Sequence, residues 1–214
     1  MQHFSDAGAG DLVLAMADRI IANKAYLSEI DGKIGDGDHG VNMAKGFGMA
    51  ADRLRGGTPS LSEALDALGT VLMGEIGGSM GPLYGVMFTG FAEALKGDGT
   101  IDANTFSRML HAGLGEVQAI GGAKVGDKTL LDALVPAIQA FDAAVASGAS
   151  FAVALSALTK AADEGRDSTV DLVAKLGRAS RLGERSRGVL DAGATSCALI
   201  LSTLAEGATA KLAS

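Results

Sequence analysis

The sequence predicts an all-α fold, a bundle or barrel of about eight antiparallel amphipathic helices. Three observations carry that expectation. Apolar residues recur with helical spacing along most of the chain. Strand signals are nearly absent, with no sustained alternation of β-branched residues and no Asn-Gly hairpin. Connections are short, with no Ser/Pro-rich linker and no internal repeat, so residues 1–214 are read as a single domain.

The elements follow in order. Leu12, Met16 and Ile20 form an apolar stripe, with Asp11, Asp18 and Arg19 off it. A second helix is expected near 41–55. Ser60 precedes Leu61-Ser62-Glu63, which puts Glu63 in the capping-box position of a third. Further helices are expected near 82–96, 102–120, 128–146, 150–164, 168–177 and 193–211. The Ala-rich stretch 133–162 suits close packing through small side chains. Two stretches without charge, 76–92 and 143–159, fall short of a membrane span of about 20 residues and read as buried helices.

Composition narrows the function. The 214 residues carry 18 Lys+Arg against 25 Asp+Glu, a formal net charge of −7. With 4% aromatics and no basic cluster interleaved with them, nucleic acid is not an expected partner. A membrane is not expected either, although the mean hydropathy is +0.27. The single cysteine, Cys197, permits no intrachain disulfide and gives no zinc motif. Met1 to Asp11 shows no basic region followed by an apolar core. Both point to the cytoplasm.

The chain has 31 glycines but only three prolines, Pro59, Pro82 and Pro136. Gly56, Gly57, Gly97 and Gly99 fall where helices should end. Others gather beside polar residues in four clusters: 31–40, 77–85, 121–129 and 183–193.

The first cluster holds Asp31, Asp36 and Asp38 within eight residues. Carboxylates held so close repel one another, and a hard divalent cation such as Mg²⁺ removes the conflict. A solvated turn is the plain alternative. An EF-hand fails, because counting from Asp36 places Val41 at position six and Phe47 at position twelve. His39, Gly40, Val41 and Asn42 then open a helix, where free backbone amides favour phosphate. A cation site beside an anion-binding helix start suggests a metal–nucleotide complex. No Walker motif is present.

Gly77–Gly85 reads as a loop ending at a helix start, with Pro82 suited to the first turn, or else as a tight helix crossing. In Gly121–Thr129, Asp127 is placed to cap the following helix. The last cluster, with the run from Gly177 that leads into it, contributes Arg178, Arg181, Arg185 and Arg187, an anion site in an acidic protein. A surface salt bridge would account for one or two of them, Arg181 first.

Together these segments resemble the nucleotide-binding (L) subunit of dihydroxyacetone kinases. The resemblance rests on Asp31–Asn42, Gly77–Gly85, Gly126–Asp132 (Gly-Asp-Lys-Thr-x2-Asp) and Gly177–Ser196, in the family's order and spacing. It implies a barrel of eight antiparallel helices with a nucleotide, ADP or ATP, at one end. It implies that Asp31, Asp36 and Asp38 hold two Mg²⁺ ions. His39, Gly40, Val41 and Asn42 would lie against the phosphates, with the Ser79–Met80 backbone nearby. Gly121 and Leu130 would line the adenine slot, and Arg178 with Asp191, Ala192 and Gly193 would complete the site. Asp31, Asp36, Asp38 and Arg178 are the implied catalytic groups. Two departures stand out: Met80 replaces a common serine, and Asp191-Ala192-Gly193 replaces Asp-Pro-Gly, which leaves the last loop less rigid.

The resemblance implies a glycerone kinase subunit that phosphorylates dihydroxyacetone or a related ketose held by a histidine of a separate K-type subunit. None of His3, His39 and His111 sits in a motif for that role, so the chain is expected to be inactive alone. A phosphotransferase-system subunit would either rephosphorylate a retained ADP, or ATP would exchange each cycle. The rival reading from another class is a non-catalytic nucleotide-binding module docking a transcription regulator. A helical metal-binding scaffold is the plainest alternative.

Overall fold

In the computed structural model, which describes residues 2–213, nine α-helices share one hydrophobic core. They are α1 (Asp11–Ala22), α2 (Lys24–Ile34), α3 (His39–Leu54), α4 (Leu61–Glu75), α5 (Met80–Leu95), α6 (Ala103–Ile120), α7 (Leu131–Ala146), α8 (Phe151–Ser168) and α9 (Ala192–Leu212). Two three-residue strands, β1 (His3–Ser5) and β2 (Thr100–Asp102), pair antiparallel.

Eight of the helices close a ring. Proceeding from α1 to α3 and on to α9, each packs on the next, and α9 returns to α1. Neighbours run antiparallel: Lys211 at the end of α9 reaches Asp11 at the start of α1 at 2.9 Å. Ser107 of α6 reaches Asp142 near the end of α7 at 2.6 Å. The ninth helix, α2, lies against α3 and α9. It was not expected as a helix, and Asp31 stands in its last turn rather than in a loop.

Phenylalanines fill the barrel. Phe47, Phe88 and Phe91 meet edge to face at 5.8 and 5.9 Å, and Phe106 packs on Phe141 at 5.3 Å. Glycines inside helices permit the close crossings. A Cβ on Gly69 would lie 2.8 Å from the Gly85 carbonyl, and one on Gly113 would strike the Phe91 ring. Pro136 lies inside α7 and offers no N–H to the Asp132 carbonyl four residues back, against which Gly165 of α8 packs.

The capping box at Ser60 and Glu63 forms as expected. Two other expectations fail. Residues 168–177 are not a helix: α8 runs to Ser168, a single 3-10 turn spans Thr169–Asp171, and the chain then opens. Asp127 does not cap α7; its carboxylate accepts the Lys124 N–H at 2.9 Å and pairs with Lys175 at 3.1 Å. The Leu131 N–H that opens α7 donates instead to Thr129 Oγ1 at 3.2 Å, while Asp132 ties down the preceding turn by accepting the N–H groups of Thr129 at 2.7 Å and Gly126 at 2.6 Å. Among the described residues no helix is long and apolar enough to cross a membrane.

The antiparallel order puts the starts of α3, α5, α7 and α9 at one end, with the ends of α2, α4, α6 and α8. That end carries the cleft.

Candidate functional site

A cleft of ≈ 310 Å³ opens there, within the size range of small-molecule sites. Its walls include parts of all four glycine clusters. Four helix N-termini at its rim favour an anion, and carboxylates on one side favour a cation.

Asp31, Asp36 and Asp38 converge: each offers an oxygen, and these lie within 4.8 Å of one another. Asp31 is half-buried; the other two are more exposed. Their convergence has a local cause. Gly35 approaches Asp31 more closely than a Cβ would allow, and Gly37 has φ +77°, so the chain doubles back after α2. The Asp31 carboxylate also accepts the His39 N–H at 3.3 Å, tying α2 to the start of α3. Arg178 pairs directly with Asp36 and lies 3.8 Å from Asp38. Three hard oxygen donors around one point fit Mg²⁺.

His39 is buried, with Nε2 2.9 Å from Ser196 Oγ. Burial depresses its pKa to about 4, against the opposing pull of Asp31, so the ring is neutral near pH 7. Ser196 Oγ lies 2.6 Å from the Tyr84 hydroxyl, which donates to the Gly193 carbonyl at 2.9 Å. Burial raises the Tyr84 pKa well above its usual value.

Asp191 caps α9, accepting the Ala194 N–H at 2.7 Å. Burial lifts its pKa to about 7, although the Ala194 N–H pulls the other way. Its own N–H donates to Thr169 Oγ1 at 3.0 Å.

The residues expected in the site fall into two groups. Asp31, Asp36, Asp38, His39, Asn42, Ser79, Met80, Gly121, Leu130, Arg178, Asp191, Ala192 and Gly193 line the cleft. Gly40 and Val41 do not: Gly40 packs against the Lys24 carbonyl of α2, and Val41 is exposed. Of the arginines, Arg187 rather than Arg181 forms the surface pair, with Glu184 at 3.1 Å. Lys128 and Tyr84, both cleft residues, were given no role from sequence. Each stands inside a quoted motif, so the motif was the signal, and only the fold shows what each side chain touches.

An all-α barrel with carboxylates, an arginine and four helix starts at one end defines a class of nucleotide-binding architecture, and comparison with known proteins identifies the class. Residues 33–206 match the DAK2 domain family. A relative in Listeria innocua, the PEP-dependent dihydroxyacetone kinase 2 ADP-binding subunit DhaL, is 34% identical over 200 residues, covering 92% of each chain. The ADP-binding subunit DhaL of Escherichia coli is 35% identical over 185 residues, 84% of this chain and 86% of that one. The dihydroxyacetone kinase of C. freundii, solved in complex with AMP-PNP and Mg²⁺, superposes with a TM-score of 0.69 at 25% identity. That match covers 92% of this chain but spans only 33% of the C. freundii chain. The chain belongs to the DAK2 domain family, with the DhaL subunits of dihydroxyacetone kinases.

Proposed function

We propose that this chain is the Mg-dependent ADP- or ATP-binding subunit of a dihydroxyacetone (glycerone) kinase. It presents the nucleotide for phosphoryl transfer to dihydroxyacetone or a related ketose carried by a separate K-type subunit, and it is inactive alone. The observation that carries the proposal is the meeting of Asp31, Asp36 and Asp38 within 4.8 Å beside the start of α3, with Arg178 against them.

In this reading Asp31, Asp36 and Asp38 hold the cation, two ions as the resemblance implies. Bound there, Mg²⁺ neutralises phosphate charge and stabilises what develops in transfer. The chain's own residues do the rest. His39 and Asn42 face the phosphates from the first turn of α3, and the backbone at Ser79–Met80 meets them from α5. Gly121 and Leu130 flank the base, where Gly121 leaves room for a flat ring. Arg178 exchanges its carboxylate partners for phosphate oxygens, the geometry for which a guanidinium is suited. Asp191, Ala192 and Gly193 close the far wall. The names of the relatives, ADP-binding subunits of PEP-dependent kinases, support ADP as the nucleotide and suit a phosphotransferase-type donor as a further partner; a cytoplasmic setting accords with the lone buried Cys197.

The test is calorimetric titration of the purified chain with ADP and with ATP, with and without Mg²⁺. Binding that requires Mg²⁺ is expected. Asp36→Asn should abolish it while leaving helical circular dichroism intact, since Asp36 is exposed and outside every α-helix. Mg-independent binding, or none by the unsubstituted chain, would sink the proposal.

A further inference from the structure

The Gly126–Asp132 motif supplies one lysine whose surroundings do not suit a ligand contact. Lys128 is 2% exposed and is the one residue other than glycine with positive φ, +64°, among the described residues. That conformation is unfavourable for a long side chain. Its ammonium donates to three backbone carbonyls: Thr169 at 2.5 Å, Val189 at 2.5 Å and Leu172 at 3.2 Å. An ammonium has three N–H donors, so all are spent. A lysine lining a phosphate cleft invites the role of phosphate ligand; here no donor remains for it.

The three acceptors identify another role. Thr169 and Leu172 lie at the beginning of the segment between α8 and α9, and Val189 lies at its end. Arg178 stands between them. The segment is also held within itself, by Gly188 N–H to the Val170 carbonyl at 2.7 Å and Ala174 N–H to Ser186 Oγ at 2.9 Å. Near its start it is held by Lys175, whose N–H and ammonium both reach Asp127 at 3.1 Å; Lys128 is the group that touches both of its ends. Its middle is a 3-10 helix, Arg178–Ser186, kinked at Gly183, and Gly177 and Gly183 take positive φ. The lysine is aimed by Asp132, whose two oxygens bind the N–H groups on either side of it. Thr169 passes the constraint on, because its hydroxyl accepts the Asp191 N–H.

We infer that Lys128 is a positioning residue: its ammonium pins both ends of the 169–191 arm and so sets where Arg178 and Asp191 face the cleft. The burial that lowers its pKa accords with a group enclosed by protein rather than presented to a ligand. The geometry stands by itself; the consequence for binding rests on the nucleotide reading.

Hydrogen exchange on the full chain, followed by mass spectrometry, separates the two. In Lys128→Met, which keeps the stem and removes the donors, amides within 170–190 should exchange at least about tenfold faster, with α4 and α5 unchanged. Lys128→Gln, which keeps two N–H donors, should fall between. Calorimetry with Mg-ADP should show Lys128→Met weakening binding about tenfold in the native background. In an Arg178→Gln background the same change should cost below about threefold, because the residue it positions is gone. Unchanged exchange in the arm would overturn the proposal. So would an equal affinity loss in both backgrounds, which would mark a direct ligand. Collapse of the helical circular dichroism in both variants would also overturn it, since the lysine would then be holding the barrel. Absence of ADP binding by the unsubstituted chain would instead overturn the nucleotide reading, leaving the exchange result to decide the arm.

Discussion

His39 and Ser196, 157 positions apart, meet at 2.9 Å and join the first turn of α3 to the second turn of α9. Tyr84 of α5 completes the junction through its hydroxyl. Three of the four helix starts at the cleft are thus tied by one buried chain of hydrogen bonds. Tyr84→Phe removes one bond from each of Ser196 and the Gly193 carbonyl, which keep their own bond at 3.1 Å. It should lower stability by about 1–2 kcal/mol in urea unfolding. Ser196→Ala should also weaken Mg-ADP binding several-fold in calorimetry, because it frees the ring of His39. An unchanged affinity in Ser196→Ala would separate this junction from the site.

Asp191 makes stability depend on pH in a predictable direction. Its folded pKa is about 7 against an ordinary 3.8. Between those values the folded chain keeps a proton that the unfolded chain has released. Its stabilising contribution is therefore full below about 3.8 and is lost as pH rises through about 7. Asparagine can accept the same Ala194 N–H but does not titrate. Urea unfolding at pH 5 and pH 8 should show Asp191→Asn gaining stability relative to the native chain at the higher pH, on the order of 1–3 kcal/mol. His39 titrates in both chains and cancels in the difference.

Ser60→Ala isolates a part of the fold that owes nothing to the cleft. Ser60 Oγ accepts the Glu63 N–H at 3.1 Å, and the Glu63 carboxylate accepts the Ser60 N–H at 2.9 Å. The substitution should cost about 1 kcal/mol and leave nucleotide binding untouched. A changed affinity would show that α4 communicates with the site.

That capping box was readable because its whole cause lies within four residues. The same holds for the acidic turn, where Asp31, Asp36 and Asp38 are close in sequence and glycines announce a tight path. The motif containing Lys128 was visible too, but its purpose was not, since the acceptors at Thr169, Leu172 and Val189 are more than forty positions away. Helix α2 escaped for a different reason. Its buried face is only Leu27, Ile30 and Ile34, and Gly32 interrupts it, so its helicity comes from packing on α3 and α9. The 168–177 segment reads as helical by composition, yet its carbonyls are taken by a distant lysine. Ion pairing at Arg187 rather than Arg181 likewise depends on which way a loop turns.

Gly113 tests the close crossings of the barrel. A Cβ there would meet the Phe91 ring and lie 2.7 Å from the Met87 carbonyl, and backbone cannot yield as a side chain can. Gly113→Ala should destabilise by about 1–3 kcal/mol through overpacking, despite alanine's better helix propensity. Thermal unfolding measures this directly. A rise in Tm would mean that α5 and α6 separate easily.

Ala192 offers the converse, a substitution expected to stabilise. It is the first residue of α9, where the N–H has no intrahelical acceptor and proline is tolerated. Asp191, which precedes it, has φ −79° and ψ 130°, the extended conformation a following proline requires. The Asp191 cap and the Thr169 bond to its N–H both survive the change. Ala192→Pro should therefore raise stability by about 0.4–1 kcal/mol, chiefly by restricting the unfolded chain. Because residues 191–193 line the cleft, a stiffer wall should also slow release of bound ADP, measurable by stopped-flow displacement with a fluorescent analogue. Faster release, or a lower Tm, would show that the alanine wall is already as rigid as the fold permits and that proline strains it.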